Sequence, residues 1–333
     1  MPIVNIGVDD GNVRRKLITK KHKLDTPVGL SLVRREGGRG DLEVAQAAGD
    51  VITWRNGSQW TPEPSASAST EMARFTHWPE AMKISFLYSL SRVPTETKSK
   101  RFRVMIGAPL DALNDAEAVR KAAREELCGL YTFEVNGEPQ SIEIADAYIA
   151  SQPKAALVTT PGFKNKRVFL ADWGFVTGHS VGYDEARKQD GQSAFIDAVT
   201  GWRRVGAYRA ADELSNYLNG VYTNYGLSKI VNIHEADQII LGARRLEVPN
   251  GAMTEATEFV KVLKAQNFNA GVEFFNAQMA HMVPEIIRFV GGTTVRYEQQ
   301  IRARWKSLVS IPEDPIFSVA QGLLVLANSY WRD

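Results

Sequence analysis

The chain has 333 residues, 44% of them hydrophobic and 23% charged, the balance of a soluble globular protein long enough to bury its apolar surface without staples. Its formal net charge of +2 is too small to argue for direct binding to nucleic acid or an anionic membrane. A single cysteine, Cys128, excludes an internal disulfide and fits a reducing cytoplasm, the expected compartment.

Met1-Pro2-Ile3-Val4 reads as the start of a strand rather than a signal peptide. The strand ends in Asp9-Asp10-Gly11-Asn12, and a basic hairpin over Lys16 to Leu24 follows, read as a solvated strand face. Residues 29 to about 94 change character and look like an insertion. They hold the Arg34-Arg35 and Arg39 run, a hairpin signal at Asn56-Gly57, a Pro/Ser/Ala-rich loop over Pro62 to Thr70, and a helix from Pro79. Trp54, Trp60 and Trp78 in this block fit either contacts at a protein interface or the core of a small subdomain.

Arg101 to Pro109 reads as a strand and turn, Asp115 to Leu130 as a helix-like stretch in which Cys128 packs as a small apolar residue, and Asn136-Gly137 as a second hairpin. Ser141 to Ile149 is a strand, and Gln152-Pro153-Lys154-Ala155-Ala156 feeds a helix through a proline. A second hydrophobic strand, Val168 to Ala171, runs into Asp172-Trp173-Gly174. Helices are expected over Ala207 to Tyr217, Thr254 to Val283 and Pro315 to Ala327, with a strand at Ile286 ending in the Gly291-Gly292-Thr293 turn. Metal-type Cys/His spacing, a Walker-type Gly-Lys-Ser/Thr loop and a dinucleotide Gly-x-Gly-x-x-Gly are absent from the sequence.

Two strands that each end in an aspartate and a glycine turn have a specific chemical use. Glycines let backbone N–H groups approach phosphate oxygens, and a carboxylate at each strand end can hold the water shell of Mg²⁺.

Five segments in order, at Asp9 to Lys16, Gln152 to Ala156, Asp172 onward, Val290 to Thr293 and around Ala320-Gln321-Gly322, resemble the phosphate 1, connect 1, phosphate 2, adenosine and connect 2 motifs of the actin/Hsp70/sugar-kinase ATPase superfamily. The Asp9-Asp10-Gly11 doublet, Lys16 and the Asn136-Gly137 middle are similar to plasmid-segregation actins of the ParM type. Phe175-Val176 stand where most relatives carry small residues, Gln152 where many bacterial relatives carry Glu, and His179 where ParM carries an acidic residue.

The resemblance implies an α/β, actin-like two-domain fold with a nucleotide cleft. Domain I would cover 1–155 plus 312–333, with an inserted subdomain at about 29–94; domain II would cover 156–311, with one at about 212–262. It implies ATP with water-mediated Mg²⁺, held through Asp9 and Asp172 at the metal and Asp10, Gly11, Asn12, Lys16, Gly174, Thr177, Gly291, Gly292 and Thr293 at the nucleotide. Gln152 and His179, with Asp172, would be catalytic, orienting the attacking water; a polar side chain suffices for that role. The output would be head-to-tail filaments of the chain with itself, serving segregation of plasmid or other DNA through a DNA-binding adaptor. Two alternatives stay open: a non-polymerising actin-fold scaffold that recruits a partner, and a small-molecule kinase.

Overall fold

Val4 to Val8 pairs with one neighbouring strand and Gly7 to Asp10 with another, and every residue from Ile6 to Asp10 is buried, which is why Ile6-Gly7-Val8 reads as a continuous apolar run and not an alternating one. The computed structural model describes residues 2–11, 14–32, 49–63, 77–95, 99–109, 111–113, 115–190 and 193–332. Arg34, Arg35 and Arg39, the Pro/Ser/Ala-rich stretch beyond Glu63, and Asn12 lie outside them. The chain divides into two compact units, Met1–Thr159 with Phe317–Asp333, and Thr160–Ile316.

The first unit is built on a nine-stranded sheet of the described residues. Its strands are β1 (Val4–Asp10), β2 (Arg14–Ile18), β3 (Lys23–Pro27), β4 (Gly29–Leu32), β5 (Ile52–Thr53), β6 (Gln59–Glu63), β7 (Ser99–Ala108), β8 (Gly129–Val135) and β9 (Glu138–Ser151), in the order β3-β2-β1-β7-β9-β8-β5-β6-β4. β1, β7 and β9 run parallel at the centre; the hairpin partners are antiparallel. Helices α1 (Glu80–Ser91), α2 (Ala116–Leu127), α3 (Gln152–Val158) and α9 (Ser318–Tyr330) belong to this unit. α9 returns from the end of the chain to lie on β1 and α3; a Cβ at Gly322 would stand 1.9 Å from the Ala155 carbonyl oxygen, so only glycine permits this approach.

Asn136 and Gly137, both at positive φ (54° and 79°), make the two-residue turn between β8 and β9. Asn56-Gly57 behaves differently. Thr53 pairs with Gln59, so the loop is five residues long, closed by Gly57 N–H to the Trp54 carbonyl and by Asn56 Oδ1 accepting from Ser58. Trp54 and Trp78 are 3% and 1% exposed and part of the main core, so burial removes the interface-contact reading of these two, while Trp60 packs against the core partly buried. α2 stops at Leu127, earlier than expected, because Cys128 is extended and Gly129 at φ 147° opens β8. Cys128 packs half-buried against the core, and burial pushes its thiol up.

The second unit has a five-stranded sheet, β12-β11-β10-β13-β14, of β10 (Arg167–Trp173), β11 (Gly178–Asp184), β12 (Phe195–Arg203), β13 (Ile286–Val290) and β14 (Val309–Ser310). Its helices are α4 (Tyr208–Asn224), α5 (Ile233–Leu241), α6 (Met253–Met279), α7 (Gly292–Arg296) and α8 (Glu298–Trp305). α6 ends four residues short of the expected Val283, ahead of Pro284, which cannot continue a helix. Phe169, Ala171 and Trp173 alternate along β10 into one core with Phe275 of α6, Phe289 of β13 and Tyr297. Arg288 of β13, 3% exposed, donates to Ser310 at 2.8 Å, and burial lowers it to about 10. Among the described residues no helix is long and apolar enough to cross a membrane.

Candidate functional site

Period-two geometry sends neighbouring residues of a strand to opposite faces, and each aspartate strand end uses this. In the β1–β2 hairpin, Asp9 is paired with Lys16 and Asp10 with Arg15. The Asp9 carboxylate accepts from Gln152 Nε2 at 2.9 Å on one oxygen and faces Lys16 Nζ at 3.4 Å on the other. Residues distant in sequence thus converge: Asp9 and Lys16 from the hairpin, Gln152 from the first turn of α3. Ser151 caps that helix by accepting from Lys154 N–H, and Pro153 sits in its first turn. Gly11 lies beside this group: a Cβ added there would stand 3.1 Å from Lys16 Nζ.

Asp10 is put to a different use from the one expected. Its carboxylate is fully buried and ion-paired with the fully buried Arg15 at 2.8 Å, on the opposite face of the hairpin from Asp9. Its side chain is therefore committed to the fold of the hairpin.

In the second unit Asp172 and His179 are direct partners across β10 and β11, so they share a face. His179 Nε2 lies 3.0 Å from Thr177 Oγ1. The turn between the strands is fastened through its carbonyls. The Gly174 carbonyl accepts from Thr293 Oγ1 (2.7 Å), that of Phe175 from Tyr208 N–H (2.7 Å), that of Val176 from Gly206 N–H (3.2 Å), and that of Thr177 from Gly174 N–H (2.9 Å). Among the described residues, the N–H groups of Phe175, Val176 and Thr177 have no acceptor within the protein. A run of backbone N–H groups of this kind is an anion-binding concavity.

Below the turn, Trp173 Nε1 donates to the Val205 carbonyl at 2.8 Å, and Asn267 Nδ2 donates to the carbonyls of Val205 and Gly206. Tyr297 donates to Asn267 Oδ1 at 2.9 Å, and burial pushes its phenol up to about 12, so it stays a neutral donor. Tyr208, Gly206 and Asn267 were missed from sequence as supports of this turn, and Trp173 was read only as a member of it. The readable trace is Asn267, a polar residue on the buried stripe of a long helix.

Gly291 closes the second group. Its φ is 93°, its N–H donates to the Pro315 carbonyl, and an added Cβ would stand 2.6 Å from Asp172 Oδ1. Gly292 begins α7 with open space around its Cβ position, whereas Thr293 is 2% exposed and committed to Gly174. The structure thus assembles Asp9, Lys16, Gln152 and Gly11 in the first unit, and Asp172, Gly174, Thr177, His179, Gly291 and Thr293 in the second. Among the described residues no group of three or more His, Cys, Asp or Glu could hold a metal ion.

No protein-family model matches the chain, and no curated protein matches it. Solved structures do. The apo parM protein of psk41 is 11% identical with a TM-score of 0.67, over 99% of this chain and 98% of that one. The archaeal actin homolog Ta0583 in complex with ADP is 13% identical with a TM-score of 0.70, over 98% and 100%. A 15-stranded ParM filament from Clostridium botulinum is 13% identical with a TM-score of 0.66, over 99% and 100%. Two mixed sheets flanked by helices, similar to these proteins over nearly the whole chain, make this an actin-like two-domain fold of the ParM type.

Proposed function

We propose that the chain binds ATP with Mg²⁺, hydrolyses it, and assembles head to tail into filaments that move plasmid or other DNA through an adaptor. The observation that carries this reading is the turn Gly174–Thr177, whose four carbonyls are all fastened internally while three successive N–H groups are left for an anion. It stands beside a strand-end carboxylate, Asp172, and a glycine, Gly291, that keeps the space above that carboxylate clear. The first unit repeats the theme with Asp9 and Gly11. In this reading domain I is 1–155 with 312–333 and domain II is 156–311, with inserted subdomains at about 29–94 and about 212–262.

The residues fit the group they are asked to hold. Asp9 and Asp172 are strand-end carboxylates, the donor type that Mg²⁺ takes through its waters. Bound Mg-ATP would supply the transferable phosphoryl group and a counter-charge to it. The N–H groups of Phe175, Val176 and Thr177 bind phosphate oxygens, and Lys16 adds a positive charge. Gln152 is pinned to Asp9 by its amide nitrogen, which leaves its amide oxygen to orient a water. His179, anchored on Thr177, does the same from the second unit. Gly292 offers open space for the adenine side. Positioning and charge neutralisation account for most of the catalysis of phosphoryl transfer.

The ADP complex of the Ta0583 homolog and the Clostridium botulinum ParM filament support carrying nucleotide binding and assembly to this chain. The test is light scattering and pelleting of the purified protein with Mg-ATP, with Mg-ADP and without nucleotide, alongside Asp172→Ala. An ATP-dependent rise that Asp172→Ala lacks is the expected result. ATP binding without assembly at any concentration favours the scaffold alternative, and no ATP binding overturns the reading.

A further inference from the structure

Asp10 and Arg15 form a buried pair that the proposed chemistry does not use. Arg15 Nε donates to Asp10 Oδ1 at 2.8 Å, and Nη1 donates to Ser85 Oγ at 3.2 Å and Ser89 Oγ at 3.0 Å on α1. The guanidinium lies 5.0 Å from the Phe86 ring centre. Thr26 of β3 donates to Ser89 Oγ, and Ser85 Oγ to the Val28 carbonyl. The network joins β1, β2, β3 and α1 within the first unit, and both charged side chains are fully buried.

A buried ion pair is weak evidence for stability, since well-packed apolar residues of similar volume do as well. Its better use is to choose one register among several. That choice is otherwise open in β2. Leu17 and Ile18 are both buried, 1% and 3% exposed, so the apolar pattern does not tell one face of the strand from the other. Arg14-Arg15-Lys16 offers three consecutive cations opposite Asp9 and Asp10, so charge matching alone does not choose either. A slip of one residue would carry Lys16 to the buried face and take it away from Asp9. The slot under Asp10 discriminates. It presents a carboxylate to Nε and two hydroxyls to Nη1 above an aromatic ring, a spread that a planar, forked guanidinium spans with its flat face on the ring and the compact ammonium of a lysine does not. Arg14 is held elsewhere, on Asp25 at 2.7 Å.

We propose that Arg15 is a positioning residue: seated between Asp10 and α1, it sets the register of the β1–β2 hairpin and thereby places Lys16 and Gly11 beside Asp9. The inference rests on the nucleotide reading for its consequence, and on hairpin geometry for its substance.

The experiment uses the full chain carrying Asp10→Leu and Arg15→Leu together, which removes the charges while keeping the site apolar and filled. Melting temperature, hydrogen exchange over residues 4–27 and calorimetric titration with Mg-ATP are measured on the double variant and on the unaltered protein. The expected result is a folded protein with faster exchange across the hairpin and Mg-ATP affinity reduced about tenfold or more, since a register error misplaces the site without unfolding the unit. A folded double variant with unaltered exchange and affinity overturns the proposal. If the double variant does not fold, Ser85→Ala with Ser89→Ala removes only the α1 anchors of Arg15. Faster hairpin exchange with affinity down about threefold then supports the proposal, and no change in either overturns it. Should the unaltered protein not bind Mg-ATP, the nucleotide reading falls, and hairpin exchange alone decides the register claim.

Discussion

The two aspartate turns are held in place by opposite means. In the first unit the hairpin mouth is closed by side chains: Asp10 with Arg15 inside, Asp9 with Lys16 and Gln152 outside. In the second, backbone does the holding, with four carbonyls fastened by Thr293, Tyr208, Gly206 and the turn itself. The first depends on which residues occupy adjacent positions in one hairpin. The second depends on chain brought in from far along the sequence, with the Phe175 ring packed against Tyr208 and the hydrogen bonds made by the carbonyls of the turn. Phe175 and Val176 can therefore replace small residues while their N–H groups keep their directions.

The comparison breaks most sharply at Asp10. Asp10→Ala leaves Arg15 charged and buried without its carboxylate, which should cost about 3–5 kcal/mol, read as a lower urea midpoint for the first unit. A loss under about 1 kcal/mol would show that the hairpin does not need its charges. The second unit should give way at its supports: Asn267→Leu strips a donor from the Gly206 carbonyl and should cost about 1–3 kcal/mol, with Mg-ATP affinity falling alongside. Smallest of all, Val176→Ala should change stability and Mg-ATP affinity by no more than about 0.5 kcal/mol, because only the backbone of Val176 is used. A tenfold loss of affinity there would erase the contrast.

What the sequence made legible was local. Asn136-Gly137 forms its turn because both residues tolerate positive φ, Pro153 opens α3, and apolar runs ending in Asp mark β1 and β10. What it hid depends on long-range packing. Asp9 and Asp10 look equivalent in the chain, and only the alternation of the strand, with α1 on one side, leaves one slightly exposed beside Lys16 and Gln152 and makes the other a fully enclosed ion. Trp54 and Trp78, set among Gly, Pro and Ser, are buried because α1 and the sheet cover them. The supports of the second turn come from Gly206, Tyr208, Asn267 and Thr293, between about 30 and 120 positions away, where no local motif announces them.

One consequence of α9 belongs to the ribosome. The helix that covers β1 and α3 is made of residues 318–330, while β1 begins at Val4. The first unit is therefore synthesised first and completed last: its sheet emerges with the Gly7 face of β1 bare until the rest of the chain has been translated. At about 5–20 residues per second that wait lasts on the order of ten seconds or more, while the second unit, continuous from Thr160 to Ile316, has every residue it needs before α9 appears. During synthesis the later unit is free to mature ahead of the earlier one, and a chain stopped at residue 316 would release the first unit without its cover.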